Sequence, residues 1–155
     1  MKIINQQLLD EITAAAKENP RLRKNWNLHP ADNFPAHRLL NAMEPQSYIR
    51  PHRHLEPLKD ETFMIVRGRL GILVFADNGA VKKKLLLAAD GENIGVDIPS
   101  GLFHTAVSLA EGTIFFEAKA GPYVQLTETE KASWAPEDGT AAEEYLLSLK
   151  NEFAT

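Results

Sequence analysis

The sequence predicts an all-β protein, an antiparallel sandwich or barrel with a short α-helix at either end, and three observations carry that expectation. Between Ala36 and Lys119, short runs rich in β-branched and aromatic residues alternate with turn signals, and no helical periodicity intervenes. Helical spacing is confined to the two ends of the chain. The 155 residues are 44% hydrophobic and contain no cysteine, enough for one domain to bury its own core without disulfides or a structural metal.

Taken in order, Ile4, Leu8, Leu9, Ile12 and Ala16 recur at helical spacing over residues 3–18, and Asn19-Pro20 supplies the stop. Residues 21–35 are irregular and rich in Asn, Pro and Asp, yet include Trp26 and Leu28, so they read as a packed arm that two subunits can exchange. Strands are expected at residues 38–43, 47–54, 62–66, 68–75, 82–88, 93–98, 104–109 and 113–119, with turns at Glu44-Pro45, Asp77-Asn78-Gly79, Asp90-Gly91, Pro99-Ser100-Gly101 and Glu111-Gly112. Trp134 reads as a packing anchor for the C-terminal segment. Leu146, Leu147, Leu149 and Phe153 give residues 143–153 the apolar side of a helix. The expected layout is an N-terminal helix and arm over 1–35, a barrel over 36–125 and a C-terminal segment and helix over 126–155, one domain overall. Ile3, Leu8, Trp26 and Phe153 are apolar residues outside the barrel and suggest a homodimer.

Charge narrows the functional classes. With 21 acidic against 17 basic residues, the net charge of −4 offers no footprint for nucleic acid. The single basic run, Lys82-Lys83-Lys84, follows a hairpin turn and reads as a solvated face. No segment has the apolar core of a signal peptide or the length of a membrane span, so a cytoplasmic protein without membrane insertion is expected.

The chemistry gathers in two stretches. In His52-Arg53-His54, strand alternation puts both imidazoles on one face, about 7 Å apart if the strand is regular. A turn containing Pro57 and Asp60 then brings Glu61 back at the start of the next strand, and after Pro99-Ser100-Gly101 a further strand opens on His104. Three imidazoles and one carboxylate suit one divalent Zn, Fe, Mn, Ni or Co, whose remaining positions stay open to a substrate. Tyr48 and Arg50 share the parity of His52 and His54 and are the expected substrate-binding residues on that face. Glu117 and Lys119 form a polar face of the last strand, whose direction the sequence leaves open, and Tyr123 follows a turn at a strand end. His37 reads as a surface residue, and His29 has no periodicity to place it.

These residues resemble the cupins. His52, His54, Glu61 and Gly68 match the first cupin motif, and Pro99, Gly101 and His104 the second. Six residues separate His54 from Glu61 where three or four are usual, and Ser108 stands where the second motif commonly has Asn. More narrowly, Asn27-Leu28-His29, Arg38-Leu39-Leu40-Asn41, Arg50 to His54, Glu61-Thr62-Phe63, Phe103-His104-Thr105, Gly121-Pro122-Tyr123 and Trp134-Ala135-Pro136 resemble the WbuC-type cupin metalloproteins. The resemblance implies a double-stranded β-helix, or jelly-roll, barrel. It also implies a sugar or nucleotide-sugar context in surface-polysaccharide (O-antigen or lipopolysaccharide) biosynthesis, and it promotes His29 to a pocket candidate. The expected activity is a metal-assisted proton transfer of isomerase or epimerase type, with His29, Tyr123 or Glu117 moving the proton. Non-catalytic sugar binding, regulation, or Fe(II)-dependent dioxygenation are the alternatives.

Overall fold

The computed structural model describes residues 1–56 and 59–154. Helix α1 (Gln6–Glu18) starts where Asn5 caps it, the Asn5 side chain accepting the Leu8 N–H at 3.0 Å. Its Leu9, Ile12 and Ala16 pack on Leu40, Ala42 and Ile114, and each buried Leu or Ile is worth about 1.5–3 kcal/mol. Among the described residues eight strands follow: β1 (Arg23–Asn27), β2 (Ala36–Met43), β3 (Glu61–Arg67), β4 (Arg69–Phe75), β5 (Val81–Ala88), β6 (Gly95–Ile98), β7 (Phe103–Ser108) and β8 (Thr113–Ala120). Helix α2 (Gly139–Asn151) closes the chain.

The strands form two antiparallel sheets, one of five strands in the order β1-β2-β8-β3-β6 and one of three in the order β5-β4-β7. Side-chain alternation sorts the apolar residues into layers. Met43, Phe63, Ile65, Leu70, Ile72, Ile98 and Phe115 point between the sheets and fill the barrel. On the far side of the small sheet, Leu73, Phe75, Phe103 and Val107 are covered by Ala132, Ala135, Leu146 and Leu149 of the C-terminal segment and α2. Strands β4 and β7 are therefore buried on both faces, and α1 covers the back of the large sheet. This is the jelly-roll barrel with a helix at each end that the sequence predicts. The β3–β4 turn needs Gly68, with φ of 77°, because a Cβ there would lie 2.6 Å from the Thr113 hydroxyl.

Two expectations change. The packed arm contains a strand, β1, which extends the large sheet beyond β2. Residues 47–54 do not form a strand: Pro51 offers no N–H to a ladder, and only His52 makes an isolated bridge. Of the apolar residues from which a homodimer is expected, Leu8 of α1 and Trp26 of β1 pack on the cluster behind the large sheet and Phe153 packs on the small sheet, while Ile3 is 63% exposed. Trp134 is the anchor expected of it, its ring 5.0 Å from that of Phe75. Lys82, Lys83 and Lys84 are exposed on β5, past the Asp77–Gly79 turn.

Candidate metal centre

Segment 47–54 is tied to β7 by a backbone pair, in which His52 N–H donates to the His104 carbonyl at 3.0 Å and His104 N–H donates back at 2.9 Å, and by the Thr105 hydroxyl, which donates to the Ile49 carbonyl at 2.6 Å. The backbone pair sets the two histidine rings 4.9 Å apart. The His54 carbonyl accepts the Gly101 N–H at 2.8 Å, so the turn after β6 fixes the second histidine of the His-x-His pair. Glu61 opens β3 between Ile98 of β6 and Lys119 of β8. Beside it, Asp60 accepts the Ser100 N–H at 2.8 Å and holds the same turn. Pro57, which the sequence places in the turn before Glu61, lies outside the described residues.

The side chains converge. His54 Nε2 lies 3.1 Å from Glu61 Oε1, and His104 Nε2 lies 2.9 Å from Glu61 Oε2. His52, His54 and Glu61 offer ligand atoms that all lie within 4.8 Å of one another. Two atoms bound to one ion at about 2.0–2.2 Å, near right angles, are themselves about 3 Å apart, so these spacings suit a shared cation. The hydrogen bonds point the same way. His52 Nδ1 sits 3.0 Å from the Arg50 carbonyl and His104 Nδ1 2.9 Å from the Leu102 carbonyl, which leaves Nε2 as the ligating nitrogen of each ring. A neutral imidazole has one N–H, so His104 cannot donate to both Leu102 and Glu61; a cation between its Nε2 and the carboxylate removes the conflict. His54 Nε2 is buried without a hydrogen-bond partner among the described residues. The cluster can hold one metal.

Its electrostatics suit that role. Burial, with His104 nearby, pushes His52 down to about 4, so its ring is a neutral donor at pH 7. Burial works against the Glu61 charge, yet the hydrogen bond with His104, the His54 ring at 3.1 Å and the Lys119 ammonium hold its carboxyl well below the usual range. Lys119 Nζ bridges Glu61 Oε1 at 2.9 Å and Glu117 Oε1 at 2.5 Å. Glu117 also accepts the Asn41 amide at 2.7 Å, and burial raises its carboxyl above the usual range despite Lys119. Both side chains share the inward face of β8 with Phe115, which settles the direction the sequence leaves open.

A cavity of about 160 Å³ adjoins the cluster, with His37, His52, His54, Lys119 and Tyr123 among its walls. A second, of about 310 Å³, has His29, Glu117, Lys119 and Tyr123 in its lining. Tyr123, 62% exposed, thus borders both. Tyr48 and Arg50 are elsewhere. Tyr48 donates its hydroxyl to the Pro136 carbonyl at 2.8 Å and meets Tyr145 edge-on, and Arg50 gives Nε and Nη2 to the Ala132 carbonyl at 3.1 and 2.9 Å. Their parity with the histidines fails because no regular strand runs through Pro51. His37 is no surface residue: it is 4% exposed and stacks on His29 with ring centroids 4.0 Å apart. The β2 alternation His37, Leu39, Asn41, Met43 is the signal that could have placed it inside.

A family model described as "Domain of unknown function (DUF6016)" matches residues 4–87. No curated protein matches the chain. Among solved structures, TT1209 from Thermus thermophilus is similar at 18% identity, over 77% of this chain and 97% of that one, with a TM-score of 0.53. KdgF from Halomonas sp. is similar at 14% identity, over 66% and 82%, with a TM-score of 0.51. SPY1581, a protein of unknown function from Streptococcus pyogenes, is similar at 12% identity, over 79% and 90%, with a TM-score of 0.51. At such identities the likeness is one of fold alone, two antiparallel sheets closed into a jelly roll.

Proposed function

The chain belongs to the DUF6016 family, and from that premise we propose a metal-binding cupin that holds one divalent ion through His52, His54, Glu61 and His104 and acts on a small polar molecule. The observation that carries this reading is the buried Glu61 carboxylate with a histidine nitrogen about 3 Å from each of its oxygens. Such an ion, when bound, supplies a Lewis acid that polarises a carbonyl or hydroxyl. The reaction we propose is a proton transfer of isomerase or epimerase type on a sugar or nucleotide-sugar, in keeping with the resemblance to WbuC-type proteins of surface-polysaccharide biosynthesis. A cytoplasmic homodimer is part of the same proposal.

The chain's own residues divide the work. Lys119 neutralises Glu61 and keeps Glu117 adjacent to the cavities. Glu117 is the group proposed to move the proton, because it lines the larger cavity beside Lys119 and burial raises its carboxyl above the usual carboxylate range. His29 and Tyr123 line the same larger cavity and orient the substrate.

The test is incubation of the metal-loaded protein with a panel of sugars and nucleotide-sugars in heavy water. Deuterium entering a carbon next to a carbonyl is the expected result, lost in Glu117→Gln and in His104→Ala. Sugars that raise the melting temperature without exchange would replace catalysis by non-catalytic or regulatory binding. Dioxygen consumption confined to the Fe(II)-loaded protein would replace it by the dioxygenase reading.

A further inference from the structure

The large sheet has five strands and the small one three, and β1 occupies the far edge of the large sheet. Trp26 of β1 and Leu40 of β2 pair and pack beside α1, on the outer face. Alternation therefore turns Asn25 and Asn27 inward, where they pair with Asn41 and Leu39. They meet no apolar layer there. They line the 310 Å³ cavity instead, together with Arg21, Asp32, Glu117 and Lys119. Among the described residues, the amides of Asn25 and Asn27 and the carboxylate of Asp32 make no hydrogen bond; only the backbone carbonyls of Asn27 and Asp32 are engaged. They are free for a ligand.

This cavity adjoins the one beside the metal cluster: His37, Lys119 and Tyr123 line both. The 160 Å³ cavity falls below the roughly 300–1,000 Å³ of an ordinary ligand pocket, while the 310 Å³ cavity lies within that range. Only a small group fits beside the histidines. The larger lining is balanced in charge, Arg21 and Lys119 against Asp32 and Glu117, and Lys119 is already paired with two carboxylates. That balance disfavours a strongly anionic body. Side-chain amides and a carboxylate suit groups that both donate and accept, which hydroxyls do.

We propose that the ligand is bipartite, with a small chelating head beside His52 and His54 and a neutral, hydroxyl-rich body held by Asn25, Asn27 and Asp32. The inference rests on the metal reading above and extends it by assigning a specificity compartment on β1. The test is calorimetry of the Zn²⁺-loaded protein with glycolate and with gluconate. The two share an α-hydroxycarboxylate head and a single negative charge, and only gluconate carries a polyhydroxylated body. Gluconate is expected to bind about tenfold tighter or more, as a few new hydrogen bonds would give. The Asn25→Ala/Asn27→Ala variant should bring gluconate to within about threefold of glycolate while leaving glycolate unchanged. Both positions are exposed, so the variant should keep its fold and metal content, checked by circular dichroism and metal analysis. Equal affinities in the wild type, or a gap that survives the double substitution, would overturn the bipartite site and leave the metal reading standing. Failure of both acids to bind the loaded wild type would overturn the bipartite site, whereas a protein that takes up no Zn²⁺ would overturn the metal reading itself.

Discussion

At the scale of single residues, burial of His52 makes the metal-free protein acid-sensitive over a definite window. The unfolded chain protonates His52 below about pH 6.5, whereas the folded protein keeps it neutral until about 4. Between those values the unfolded state binds more protons, so stability falls as the pH is lowered; above 6.5 the residue contributes no pH dependence. The window corresponds to roughly 3 kcal/mol from this one ring. Melting temperatures measured in chelator from pH 7 to 4 should therefore fall, and His52→Asn should flatten the curve; identical slopes in the two proteins would remove His52 from the explanation. The metal cluster was legible at this scale because its spacing is short-range. His52 and His54 are two residues apart, Glu61 opens a β-branched run, and His104 follows a Pro-x-Gly turn. Tyr48 and Arg50 were misread because parity was carried through Pro51, where the backbone leaves the ladder. The β1 amides carried no signal of their own, since polar residues around one Trp look like any solvated loop until a partner strand gives them a face.

At the scale of elements, the contact between β4 and Phe153, just past α2, depends on the absence of one side chain. A Cβ on Gly71 would lie 2.5 Å from the Phe153 ring and 2.9 Å from Val107. Gly71→Ala should thus destabilise the protein by about 1–3 kcal/mol through overpacking, and Phe153→Leu in the same chain should recover part of the loss. Additive effects in a double-mutant cycle would show that Phe153 does not rest on β4. Element types were readable from period, with α1, α2 and seven of the strands where apolar spacing put them. What sequence could not decide was which segments pair. β1 exists because Trp26 and Leu40 share the shelter of α1, a contact between residues 14 apart in the chain.

At the scale of the whole molecule, stability and chemistry occupy different places. The barrel core of Met43, Phe63, Ile65, Leu70, Ile72 and Phe115 lies between the sheets, and the two outer clusters lie behind them, so the hydrophobic layers stay closed without a metal. Chelation should lower the melting temperature by mass action yet leave the far-ultraviolet circular dichroism of the folded protein at room temperature. A chain that unfolds in chelator would make the metal structural. Fold was legible because it is the sum of many redundant apolar choices; the two cavities were not, because they arise where five strands face three.

The most direct measurement is an anomalous-difference map from crystals of the metal-loaded protein, collected at the absorption edge of the bound ion. One peak per chain, bonded to His52, His54 and His104 through Nε2 and to a Glu61 oxygen, is the predicted result, with the peak lost from His104→Ala crystals. A loaded protein whose peak lies away from these four side chains, or whose peak survives unchanged in His104→Ala, would contradict the proposed centre.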